Sequence, residues 1–207
     1  LSLTQTSAGL FPILGLSLAI GLAIASLLPL LGRNLLRTPL PIWGMVIAHL
    51  GLAVSVAGMA TEAGWTSERL AAMQPGEKTR ISGWEIKLND VRPAVGDNWV
   101  AIEGDMTAKL GDREFALLPQ SRQFFSPSQQ TSEAALLTRW NGQLYAVIAP
   151  IAEDRFDRWQ IRLWWKPFVT LIWFGGAMIA FGGALALVGR IALFRRRRKA
   201  ENPWSSL

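Results

Sequence analysis

The sequence predicts a mixed membrane protein: three transmembrane α-helices with a small antiparallel β sandwich or barrel-like extracytoplasmic domain between helices two and three. Three observations carry that prediction. Half of the 207 residues are hydrophobic and ten are tryptophan. The apolar residues concentrate in three runs, each long enough at ~1.5 Å per residue to cross a hydrocarbon core of roughly 30 Å. The polar middle of the chain alternates apolar and polar residues with the period of two that marks strands.

Residues 1–9 form a short lead-in without a charge, and residues 10–31 an apolar run with Pro12 and Pro29 near its ends, where a helix tolerates proline. Residues 32–41 hold Arg33 and Arg37 and end in Thr38-Pro39-Leu40-Pro41, a stiff turn suited to starting a helix. The second span, residues 42–60, is rich in Gly and Ala and carries the sole histidine, His49. His49 stands about seven residues, or ~10 Å, inside that run. An ionisable group at such depth faces protein, water or a metal. Two roles are open for it: a helix–helix hydrogen bond, or service as a metal ligand or proton relay, with small neighbours leaving room for a flat macrocycle.

Residues 61–166 read as the β-rich domain. Trp84, Ile86 and Leu88 alternate with polar residues, as do Ile102, Gly104, Met106, Ala108 and Leu110. Gly111-Asp112 is a two-residue turn, and Asn141-Gly142 is a hairpin signal between 136–140 and 144–148. Ile161 and Leu163 flank Arg162 in a last strand. Trp159, Trp164, Trp165 and Lys166 then stand just before the third span, 167–189, as interfacial anchors or as an aromatic and cationic shelf for a planar anion. In the third span Gly175, Gly176, Gly182, Gly183 and Gly189 are read as one small packing stripe. Residues 190–207 are a basic tail.

Charge and composition exclude several functions. The chain has no cysteine, so thiolate sites and cysteine nucleophiles are absent from it, and one histidine argues against a serine triad or a multi-histidine metal site. The net charge of +6 is not a nucleic-acid footprint. Residues 61–166 carry 13 basic and 14 acidic residues, whereas the other segments carry eight basic residues and one acidic residue. Basic residues beside apolar spans set orientation instead, placing 32–41 and the tail in the cytoplasm and 61–166 outside it. Span one then starts outside, so the chain reads as the end of a longer polytopic protein or a subunit of one. The carboxylates of the β domain are scattered on polar strand faces, and no catalytic set stands out.

Several stretches resemble the C-terminal part of CcmF-type cytochrome c haem lyases. They are MVIAHLGLAVSVAGMA (45–60), LLPQSRQFF (117–125), SEAAL (132–136) and WQIRLWWKPFVTLIWFGGAMIAFGGALAL (159–187). The resemblance implies a multi-pass protein of the bacterial inner membrane with a periplasmic domain. It implies attachment of haem, delivered by a periplasmic haem chaperone, to the CxxCH thiols of apocytochrome c. It also implies a transmembrane haem b with His49 as an axial ligand to the iron, the second ligand lying in the remainder of the lyase polypeptide. Further implied partners are other cytochrome c maturation subunits, including a thioredoxin-like thiol-handling protein. The tryptophan-rich segment that presents substrate haem in this family is not in this sequence, and Gln120 stands where the family usually has an acid. Arg122, Arg162 and Lys166 are candidates to contact haem propionates or a partner surface. The alternative is a non-catalytic membrane-anchored scaffold whose periplasmic domain recruits envelope assembly partners.

Overall fold

Apolar residues that cannot find water must pair their backbone internally, and the three apolar runs do so as helices. The structure, a computed structural model, describes residues 9–151 and 158–201, with side chains as far as Arg195. Helix α1 is Leu10–Leu27, extended by a 3-10 turn over Leu28–Leu30; α2 is Leu40–Trp65; α3 is Thr170–Glu201. Each is long and apolar enough to cross a membrane. The observed α2 and α3 run past the hydropathy limits of 60 and 189. No breaker follows Ala60 until Gly64, and Thr61 is accommodated by donating its hydroxyl to the Ala57 carbonyl at 2.9 Å. After Gly189 the Leu, Ala, Arg and Lys residues all favour helix, so α3 continues into the basic tail.

The helices form one unit, made of 9–64 and 169–201 of the described chain. Its middle element, α2, uses two opposite faces. Gly44, Gly51 and Gly58, spaced by seven, lie against α3, where a Cβ at Gly51 would sit 2.6 Å from the Gly175 carbonyl oxygen. Gly64 and Ala60 lie against α1, at Pro12 and Gly15. A hydrogen bond from Ser55 Oγ to the Ile172 carbonyl, 3.2 Å, ties α2 to α3. The glycine stripe of α3 is narrower than the sequence implies. Gly175, Gly182 and Gly189 meet α2, whereas Gly176 and Gly183 point into open space. Residues one apart sit ~100° apart around a helix, so the second glycine of each pair leaves the contact. Gly189 packs on Pro41, which puts Arg190 and the Arg33/Arg37 segment at the same end of this unit.

The second unit spans 65–168 and is an antiparallel β-sandwich. Its strands are β1 Ser67–Met73, β2 Lys78–Ile81, β3 Trp84–Gly96, β4 Trp99–Leu110, β5 Arg113–Leu117, β6 Gln120–Phe125, β7 Ser128–Glu133, β8 Ala135–Arg139, β9 Gly142–Pro150 and β10 Trp159–Pro167. One sheet has the order β1-β10-β9-β8. The other has β2-β3-β4-β6-β7, with β5 also paired to β4. Between them lie Trp84, Ile86, Leu88, Met106, Leu144, Ile148, Ile161 and Leu163, all buried. Each fully buried aliphatic side chain contributes roughly 1.5–3 kcal/mol of hydrophobic stabilisation.

The Gly111-Asp112 turn joins β4 to β5 as the sequence predicts, with Gly111 at φ +59°. The β8–β9 turn is displaced by one residue. Arg139 pairs with Gly142, so the turn is Trp140-Asn141 and Gly142 already belongs to β9. A Cβ at Gly142 would stand 2.7 Å from the Lys166 carbonyl oxygen, which is why glycine is needed inside the strand. Asn89 forms a bulge between the Leu88–Met106 and Asp90–Asp105 pairs and donates to Thr107 Oγ1 at 2.8 Å. The extra residue changes which parity of β3 faces inward, so the Trp84-Ile86-Leu88 alternation does not continue past it.

Candidate functional site

The chemistry-bearing residue of the helical unit is His49, and α2 sets its direction. One face of α2 is taken by α3 through the glycines, and the opposite face by α1. His49 sits on the flank between them, with Met45, Leu52 and Met59 exposed beside it. The small residues read as clearance for a macrocycle are therefore occupied by helix packing.

The Nδ1 of His49 lies 2.7 Å from the Met45 carbonyl oxygen one turn earlier. A carbonyl oxygen accepts and never donates, so this contact puts a proton on Nδ1, and in the neutral ring Nε2 then carries the lone pair. Fixing one ring nitrogen through a backbone carbonyl is the arrangement that orients histidine ligands toward metals. His49 also lines a cleft of about 160 Å³ with Leu22, Ala25, Ser26 and Pro29 of the first helical segment and with Met45 and Val46 of α2. The Ser26 hydroxyl proton is donated to the Leu22 carbonyl at 2.6 Å and so is not offered to the imidazole. Apart from Ser26 the walls are apolar, and the groups among them able to ligate iron are the imidazole and the weaker Met45 thioether.

The three candidate cations lie in the sandwich, so neither unit by itself brings them together with His49. Arg122, on β6, stacks over the Trp99 ring at 4.3 Å, donates from Nε to Gln120 Oε1 at 2.8 Å and approaches Glu133 at 3.6 Å. Gln120 in turn donates to Glu103 at 2.5 Å, and Arg92 donates to the other oxygen of Glu103 at 2.7 Å and 2.9 Å. Arg92, and then Gln120, hold the Glu103 carboxyl below the usual carboxylate range. Arg162 pairs with Glu68 and stacks over Trp164 at 4.7 Å. Lys166 lies over the Tyr145 ring at 5.3 Å. Arg162, Trp164 and Lys166 share the outer face of β10, while Trp159 and Trp165 turn inward onto the core. The four-residue aromatic and cationic shelf is thus split between two faces. Trp99 and Glu103, which organise the Arg122 cluster, went unmarked in the sequence because their partners come from β6, some twenty residues away.

Residues 64–167 match the profile of a family described as the CcmF C-terminal beta-sandwich. The chain belongs to the CcmF family. Among curated relatives, CcmF of Escherichia coli K12 is 35% identical over 181 residues, covering 84% of this chain and 27% of the relative. The cytochrome c-type biogenesis protein CycK of Bradyrhizobium diazoefficiens is 34% identical over 154 residues, covering 73% and 23%. CcmF of Haemophilus influenzae is 32% identical over 149 residues, covering 72% and 23%. This chain therefore spans about a quarter of the length of these relatives. A solved structure titled Cytochrome c Heme Lyase CcmF shares the fold, with a TM-score of 0.70 over 86% of this chain and 31% of that one, at 17% identity. The family is thus one of cytochrome c biogenesis proteins, and the sandwich between α2 and α3 is its C-terminal domain.

Proposed function

We propose that this chain is the C-terminal part of a cytochrome c haem lyase and that His49 is an axial ligand to a haem b held in the membrane. The observation that carries the proposal is the His49–Met45 hydrogen bond, which leaves Nε2 available at the exposed edge of an apolar cleft. The donor set fits haem in that one respect: a neutral imidazole of fixed tautomer, in surroundings that offer no competing ligand of its strength. The second axial ligand belongs to the rest of the polypeptide, since the sequence here has a single histidine and no cysteine. A bound haem b supplies one-electron chemistry, and reduced iron is what productive attachment of the substrate haem requires. In this reading α1 and α3 hold α2, and Met45 holds the imidazole.

In the same reading the whole protein joins haem, received from a periplasmic haem chaperone, to the CxxCH thiols of apocytochrome c. It does so in the bacterial inner membrane, with the sandwich in the periplasm beside a thioredoxin-like thiol-handling partner. The clustering of Arg33, Arg37 and Arg190 at one end of the helical unit supports that orientation. Arg122, Arg162 and Lys166, all in the sandwich, serve as cationic contacts for a haem propionate or a partner surface.

A second reading, a scaffold without a redox role, is favoured by the pairing of Arg122 and Arg162 with carboxylates of their own sheets. Reduced-minus-oxidised spectra and haem quantitation on the intact parent protein, with and without His49→Ala, separate the two. Loss of a hexacoordinate b-type spectrum from a folded, inserted variant supports ligation. An unchanged spectrum at full occupancy sinks it and leaves the scaffold.

A further inference from the structure

Both covalent links leave the sandwich from one end. Strand β1 begins at Ser67, two residues after α2 ends at Trp65, and β10 ends at Pro167, three residues before α3 begins at Thr170. The two strands are neighbours, with Ser67 opposite Trp165. The β8–β9 turn comes to that same end. Gly142 pairs with Pro167, and the Phe168 N–H donates to the Asn141 carbonyl at 3.0 Å. Trp140, at the tip, packs edge-on against Phe168 with ring centroids 6.4 Å apart. It is nonetheless 79% exposed, and Phe168 is 37% exposed.

We propose that this hairpin tip, Trp140 seated on Phe168, is a membrane anchor that sets the sandwich into the phospholipid headgroup layer. The occupant is lipid because of where the tip is fixed. Phe168 is the last residue of the sandwich, and the apolar run of α3 starts two residues later, so Trp140 is held at the height where the chain enters hydrocarbon. An indole is amphipathic and prefers that boundary, with its ring toward the acyl chains and its N–H toward carbonyls and water. The sequence pointed elsewhere, to Trp159, Trp164 and Trp165, but Trp159 and Trp165 pack on the core and Trp164 lies beneath Arg162. Trp140 carries no interfacial signal in the sequence because it lies almost thirty residues before the span and reaches it through a turn.

The inference rests on α3 being a membrane span, and the test reports on both. The full-length protein, with no cysteine other than the one introduced, is reconstituted in phosphatidylethanolamine–phosphatidylglycerol vesicles and nitroxide-labelled at Trp140→Cys, Asp97→Cys or Trp173→Cys. Collision with oxygen and with a water-soluble nickel chelate then gives each label's depth. The expected result is nickel accessibility at 140 several-fold below that at 97, in the β3–β4 turn, with oxygen accessibility approaching that at 173 in α3. Equal nickel accessibility at 140 and 97, with 173 in lipid, overturns the anchor alone. A label at 140 shielded from both reagents also overturns it, since protein then covers the tip. A label at 173 in water overturns the span and the anchor together. Because the label replaces the indole, a second measurement keeps it: vesicles brominated near the headgroup should quench wild-type tryptophan fluorescence more than that of Trp140→Phe. Equal quenching overturns the proposal.

Discussion

Gly51 of α2 and Gly175 of α3 meet backbone to backbone: a Cβ at Gly51 would lie 2.6 Å from the Gly175 carbonyl oxygen, and one at Gly175 would collide with the Gly51 carbonyl in return. Close approach of this kind drives helix association in lipid, where hydrophobic burial supplies little, because it maximises packing and brings backbone carbonyls within reach of neighbouring donors.

Gly51→Leu should therefore separate α2 from α3, at a cost of about 1–3 kcal/mol for overpacking. Gly176→Leu, which faces open space, should be tolerated. Denaturation of the detergent-solubilised protein, read by near-ultraviolet circular dichroism, checks both. Equal losses from the two variants would contradict the facing assigned here.

Leu163 on β10 is completely buried between the sheets. Leu163→Ala should cost roughly 2–5 kcal/mol through lost transfer energy and the cavity left behind. Leu70→Ala, on an exposed position of the neighbouring strand, should cost far less. Urea midpoints of the two variants make the comparison.

Glu103 carries a pH dependence of definite sign. Arg92 first, and Gln120 second, hold its carboxyl below the usual range, so its folded-state pKa lies under its unfolded value. Its stabilising contribution is fully present above the unfolded pKa of about 4.3 and disappears as pH falls through the folded pKa. Melting temperatures measured from neutral pH down through that window should fall more steeply for wild type than for Glu103→Gln. Parallel curves would show that the Arg92–Glu103–Gln120 chain adds no linked stability.

Gly111 turns at φ +59°. Gly111→Ala should cost about 1–2 kcal/mol, since a side chain disfavours that left-handed conformation, while Asp112→Ala beside it should be nearly neutral. Chemical denaturation of both tests the assignment of the strain to residue 111.

Much of this architecture was legible because burial imposes periods. Three long apolar runs became three helices, and the alternation around Ile86, Met106 and Leu163 became the sandwich core. The family itself was legible in the stretches 45–60 and 159–187. What escaped depended on partners distant in sequence. Strand β1 was missed because its inward Met73 and outward Leu70 make no clean alternation, and β10 is what pairs it. Strand β2 is four residues long and is defined by the Ser82-Gly83 turn, where both residues have positive φ. Strand β7, Ser128–Glu133, is polar throughout and exists by hydrogen bonding to β6. Of the candidate site, the sequence singled out His49 by its depth, whereas the tautomer set by Met45 needed the helix. Arg122 was singled out by its charge, and its Trp99, Gln120 and Glu133 partners needed the sheet.

The side-by-side pairing of β1 and β10 also matters for the entropy of the helix hairpin. Joining α2 to α3 through roughly a hundred residues of unfolded chain would carry a closure cost some 3 kcal/mol above that of a four-residue turn, by the logarithmic dependence on loop length. Folded, the domain delivers its two ends one ladder spacing apart, about 4.8 Å, so α2 and α3 are connected as if by a tight bend. Melting the sandwich would restore the long loop and tax the Gly51–Gly175 contact directly. Folding of the polar domain and pairing of the two apolar helices are thereby coupled, even for residues that never touch.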